Sequence, residues 1–70
     1  MEPIKLLTVV ALLEDVPSHG LHRGRVGTVI ELLKPDVFEV EFSDEEGRTY
    51  ASLALKSNQV VVLRYPSQAA

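Results

Sequence analysis

The stretch Val37-Phe38-Glu39-Val40-Glu41-Phe42-Ser43 constrains this chain more than any other feature. Successive side chains of an extended strand project to opposite faces. Phe38, Val40 and Phe42 therefore share one face, and Glu39 and Glu41 the other, so one side is dry and the other wet. A helix would scatter the same residues around its circumference. Asp44-Glu45-Glu46-Gly47 follows at once. Asp at the start and Gly at the end suit a type I turn closed by a left-handed Gly. The chain thus contains at least one β-hairpin with a buried side, and the rest must cover that side.

The flanking sequence supplies more strands. Leu7–Leu13 (LTVVALL) is rich in residues that favour the extended form. Glu14–Gly20 reads as a loop, because Pro17 holds Val16 out of the α region. The segment Gly20–Glu31 carries three glycines before a β-branched run. Gly24 reads as a turn residue, and Gly27, inside the strand, marks a bulge or a close backbone approach. Val26, Thr28, Ile30 and Leu32 share one parity and Val29 and Leu33 the other, which predicts a long, bent strand changing faces near Gly27. Lys34-Pro35-Asp36 is a tight connection into Val37. Beyond the hairpin, Arg48–Leu53 is a fourth strand and Ala54–Asn58 a single helical or 3₁₀ turn. Gln59–Arg64 is a fifth strand, and residues 65–70 form a frayed tail.

Five short strands joined by tight turns predict an all-β, antiparallel domain whose sheet curls into a small barrel. Curling encloses the apolar side and hides edges that would otherwise pair with other chains. No segment offers the ten or more amphipathic residues of a helix. The expected core is Val9, Ala11, Leu13, Val26, Val29, Phe38, Val40, Phe42, Leu53, Val61 and Leu63. With 70 residues there is room for one domain, ordered over about residues 6–64. Cysteine is absent, so apolar burial and backbone pairing must stabilise it without disulfides or thiolate zinc. A cysteine-free chain suits the cytoplasm. The opening Met1–Leu7 lacks the basic region of a signal peptide, and Leu6–Leu13 is too short to span a bilayer.

Gly24-Arg25-Val26-Gly27-Thr28-Val29-Ile30-Glu31 resembles the turn-to-strand signature of KOW and SH3-like barrels. Thr8-Val9-Val10-Ala11-Leu12-Leu13-Glu14-Asp15-Val16-Pro17, Gly20-Leu21, Gly24 and Phe38–Gly47 are, taken together, similar to a family of small uncharacterised bacterial proteins, frequent in cyanobacteria. The likeness covers residues 6 to 63 and departs at Thr8 and Phe38, where the family often has Asp and Tyr. It implies a five-stranded SH3-like barrel and a domain of unknown function. Some relatives sit beside genes resembling small toxins, which implies an antitoxin or immunity role. It carries over no catalytic residue.

Chemistry-bearing constellations are few. His19-x-x-His22 with Glu14 and Asp15 is the one cluster with ligand chemistry, but on a Gly-flanked loop the rings have no reason to converge, and no metal or cofactor is expected. Ser18 beside His19 is adjacency without a triad, and Glu39 and Glu41 on a wet face make no acid–base pair, so no enzyme is expected. The glycines lack the following helix of a phosphate cradle.

Charge points to partners instead. The net charge of −3 weighs against nucleic acid, which selects basic surfaces. Acidic residues gather at one end of the chain's chemistry, and the basic Arg23 and Arg25, with His19 and His22, at the other. The expected function is a non-enzymatic protein-binding module, an antitoxin-type partner of a neighbouring basic toxin. It would dock through Glu39, Glu41, Asp44, Glu45, Glu46 and Tyr50. The alternatives are a nucleic-acid-contacting module using His22, Arg23 and Arg25, or a structural accessory subunit of a larger complex.

Overall fold

The computed structural model describes residues 4–63. The expected tail over residues 65–70, and Arg64 at the end of the expected fifth strand, lie outside them. Five strands form one antiparallel sheet: β1 (Val9–Leu12), β2 (Val26–Lys34), β3 (Val37–Ser43), β4 (Thr49–Lys56) and β5 (Val60–Val62). The sheet order is β4-β3-β2-β1-β5. Two 3₁₀ turns, Pro17–His19 and Ser57–Gln59, are the only helical pieces among the described residues. The all-β, five-stranded antiparallel class read from the sequence is the one found, in a compact arrangement consistent with a small barrel.

Strand β3 has the expected span, and its alternation sets the interior. Phe38, Val40 and Phe42 are fully or almost fully buried, while Val37, Glu39 and Glu41 lie half-buried on the other side. The β3–β4 turn forms as the sequence requires. The Asp44 carboxylate accepts hydrogen bonds from the Glu46 and Arg48 backbone N–H groups, both at 2.9 Å. Gly47 takes φ +83°, a conformation that costs a side-chain-bearing residue about 1–2 kcal/mol. The β2–β3 connection is the two-residue Pro35-Asp36 turn.

Gly27 is the hinge of the packing. A Cβ there would sit 2.7 Å from a Phe42 ring carbon, 2.8 Å from a Val40 methyl and 2.9 Å from the Glu41 carbonyl oxygen. Gly27 pairs with Val10, so the bare backbone lets β1 and β2 press onto the β3 side chains. The close approach expected at Gly27 is thus real. The change of face lies further along, where β2 carries an extra residue at Ile30 and another at Leu33 relative to β3. Such bulges bend a strand and sharpen its twist.

Several expectations are corrected. Strand β1 begins at Val9, because Leu7 stands in a turn with φ +69°. Its inward residues are Val10 and Leu12, not Val9 and Leu13; Ala11 is buried, but outside the main core cluster. Leu13 and Val26 are exposed, and in β5 it is Val60 that is buried, whereas Val61 is exposed. The runs LTVVALL and VVV are apolar at both parities, so periodicity carries no information about which side faces in. Register decides: Val10 lies opposite Gly27 and Val62, and Leu12 opposite Val60. Strand β4 runs on to Lys56, and the 3₁₀ turn moves to Ser57–Gln59. Ala54-Leu55-Lys56 has helical propensity, but pairing with Val37–Glu39 and burial of Leu55 opposite Phe38 override it.

Leu21 completes the core. It is 1% exposed, at the end of the loop that leaves β1. Its backbone pairs with Val16, which closes that loop into a small hairpin around the Pro17–His19 turn. Gly20, in the left-handed region, reverses the chain just before it.

Candidate functional site

The outer face of β2–β3–β4 is built by the alternation that builds the core. Glu41 lies between Thr28 on β2 and Ser52 on β4, and Glu39 between Glu31 and Ala54. The Ser52 hydroxyl donates to the Glu39 carboxylate at 2.7 Å, which fixes that side chain. Glu31 is the member the sequence reading missed. It sits after the first β2 bulge, and its cross-strand partner depends on that irregularity, which no periodicity announces. Glu31 opposite Glu39 is a like-charge pair of the kind that destabilises a sheet.

The expected acidic rim divides in two. Asp44 and Glu46 are engaged by the Arg48 guanidinium, which bridges to Asp44 at 3.4 Å and pairs with Glu46. These are the only ion pairs among the described residues. Glu45 stands exposed at the turn. Glu31, Glu39 and Glu41 have no cationic partner among the described residues and form the negative surface proper.

Of the basic candidates, Arg25 lies at the acidic rim. Arg25 lies over the Tyr50 ring, 5.3 Å from its centroid, a cation–π arrangement. Together with Asp44, Glu45, Glu46 and Arg48 it lines one small depression. The separation of acidic and basic ends expected from the sequence is therefore corrected at Arg25: the residue just before β2 lies beside the β3–β4 turn. Tyr50, assigned to the acidic surface, and Arg25, assigned to the basic one, touch each other. Arg23 and His22 are exposed, and the Arg23 backbone N–H donates to Asp15 at 2.7 Å.

The residues weighed for metal and nucleophile chemistry are spread out. Glu14 accepts from the Gln59 side chain at 3.0 Å, Asp15 is held by Arg23, and His19 Nδ1 lies 3.0 Å from the Ser18 hydroxyl. Among the described residues no three His, Asp or Glu side chains converge on one point. No helix among them is long and apolar enough to cross a membrane.

A family model described as a domain of unknown function, DUF4926, matches residues 6–62. No curated protein and no solved structure matches the chain significantly. The match takes in all five strands, from the turn before β1 to the end of β5. The chain belongs to the DUF4926 family of domains of unknown function.

Proposed function

We propose that this chain is a non-catalytic protein-binding module that docks a basic protein on the outer face of β2–β3–β4. The observation that carries the reading is Glu31 opposite Glu39, with Glu41 beside them and no cation paired to any of the three among the described residues. Like charges in register cost stability in the free sheet, by about 0.2–1 kcal/mol per pair, and give the fold nothing in return. A cationic partner turns that cost into attraction, speeds encounter and fixes register. The partner class is a basic protein, and the role is that of an antitoxin-type domain covering a toxin's cationic cleft in the cytoplasm.

Contact with nucleic acid has weaker support. Arg25 is already stacked on Tyr50 and lies among carboxylates, so the basic residues lack the free aromatic platform that single strands use.

The test is capture from lysate of the source cells with wild type and with E39K/E41K as bait. A partner retained by wild type should be lost by the variant, and its wild-type affinity should fall as salt rises. The melting temperature of the variant should equal or slightly exceed that of wild type, because the opposed pair is gone. Retention of the same partner by the variant sinks the proposal.

A further inference from the structure

A second surface lies at the β2–β3 turn end of the sheet, where Lys34, opposite Val37, shares the outer side with Glu31 and Glu39, and it has the opposite character. A groove of about 960 Å³ opens between the β2–β3 turn and β5. Its walls are largely apolar: Ile4, Leu32, Leu33, Phe38 and Val61 line it. Leu32 pairs with Phe38 and so shares its inward face, yet it is 52% exposed. Leu33 and Val61 are 43% and 45% exposed. Three large apolar side chains thus stand open around one concavity. An exposed contiguous apolar patch of this kind marks a binding surface.

Two further features define what fits. The first is charge. Lys5 and Lys34 stand at the groove, and neither has an ion-pair partner among the described residues. The one carboxylate there among the described residues, Asp36, is tied to Ser57: its carbonyl oxygen accepts from the Ser57 N–H at 3.1 Å and its side chain faces the Ser57 hydroxyl at 3.4 Å. The second is a backbone edge with no partner among the described residues. The hydrogen bonds from Leu13 to Gln59 and from Leu63 to Val9 fix the β1–β5 pattern. Val61 then exchanges hydrogen bonds with Ala11, and the N–H and C=O groups of Val60 and Val62 point away from β1. Both residues line the groove.

We propose that this groove binds an extended peptide segment of a partner protein, alternating apolar and acidic residues, by adding a strand to the outer edge of β5. Main-chain hydrogen bonds to Val60 and Val62 supply affinity, and the apolar walls with Lys5 and Lys34 select the side chains. The β5 edge is distinct from the acidic face, although Lys34 stands one pair row from Glu31 and Glu39, and a partner with basic and acidic segments would engage both.

The test uses a fluorescent, end-capped peptide of alternating valine and glutamate, a valine–lysine peptide of the same pattern, and dodecanoate, an anionic amphiphile with no peptide edge. Binding is followed by fluorescence anisotropy, and the amides of Val60 and Val62 by NMR shifts and hydrogen exchange. The valine–glutamate peptide should bind, shift both amides and slow their exchange; the valine–lysine peptide should bind more weakly. The exposed double substitution K5E/K34E should weaken the glutamate peptide roughly three- to tenfold and reverse the preference, each exposed pair contributing modestly. Equal binding of the two peptides, binding without protection of Val60 and Val62, or binding of dodecanoate alone would overturn the proposal. So would concentration-dependent shifts of those amides in the free protein, which would give the groove to a second copy. E39K/E41K should leave the protection of the Val60 and Val62 amides by the glutamate peptide unchanged, so this test and that of the acidic face fail separately.

Discussion

Replacing Gly27 by Ala adds one methyl group at the most crowded backbone position of the sheet. The new Cβ would meet Phe42 at 2.7 Å, Val40 at 2.8 Å and the Glu41 carbonyl at 2.9 Å, whereas an ordinary carbon contact lies near 3.5–4.0 Å. None of the three neighbours has room to withdraw. Phe42 and Val40 are fully buried, and the Glu41 backbone is held in register between Thr28 and Ser52. Overpacking of this kind costs about 1–3 kcal/mol. A counter-effect exists, since Ala restricts the unfolded chain and stabilises by about 0.4–1 kcal/mol where the native backbone suits it. Gly27 has no positive φ, so that gain is available; three contacts below 3.0 Å put the cost in the upper part of its range, and the net loss is about 1–2 kcal/mol. Such a loss is a large part of the roughly 3–10 kcal/mol available to a domain of this length. It should lower Tm by about 5–15 °C. Urea unfolding followed by circular dichroism measures it, with an unchanged m-value as the sign that the two end states are the same. In a double-mutant cycle the penalty should shrink in an F42L background, where the ring edge is gone. A G27A protein within about 0.5 kcal/mol of wild type, or a penalty indifferent to F42L, would refute the packing argument.

Two further outcomes follow from the same structure. Leu21→Ala should cost about 2–5 kcal/mol, a core-sized loss from a loop residue, read as a fall in the urea midpoint; a cost below 1 kcal/mol would show that the loop does not plug the interior. Asp44→Ala should lose about 1–2 kcal/mol through two orphaned backbone donors in the β3–β4 turn. Asp44→Asn should recover most of that loss, because its amide oxygen can accept both bonds; equal losses would assign the effect to the Arg48 ion pair instead.

How much of the candidate surface was legible follows from where its residues sit. Glu39 and Glu41 belong to a strand whose alternation is complete, so both their exposure and their common face can be read directly. Glu31 escaped because its place beside Glu39 depends on the bulge at Ile30. The contact of Arg25 with Tyr50 joins residues far apart in the chain, and composition alone made them look like members of opposite surfaces. The groove was invisible for a similar reason: Leu32 and Val61 look like ordinary strand residues until the sheet curvature leaves them uncovered.

The strand class, the span and inner face of β3, the two tight turns that flank β3, and the special backbone duties of Gly20, Gly24, Gly27 and Gly47 are all written in the residues themselves. These are local matters: period-two alternation and the steric limits of φ act within a few residues. The inner faces of β1 and β5, the extension of β4 to Lys56, the burial of Leu21 and the pairing of Glu31 with Glu39 arise from strand pairing and packing between distant segments. Where a strand is apolar on both sides, its own residues do not choose between two registers, and the choice falls to whichever neighbour it can approach, which for β1 is the bare backbone of Gly27.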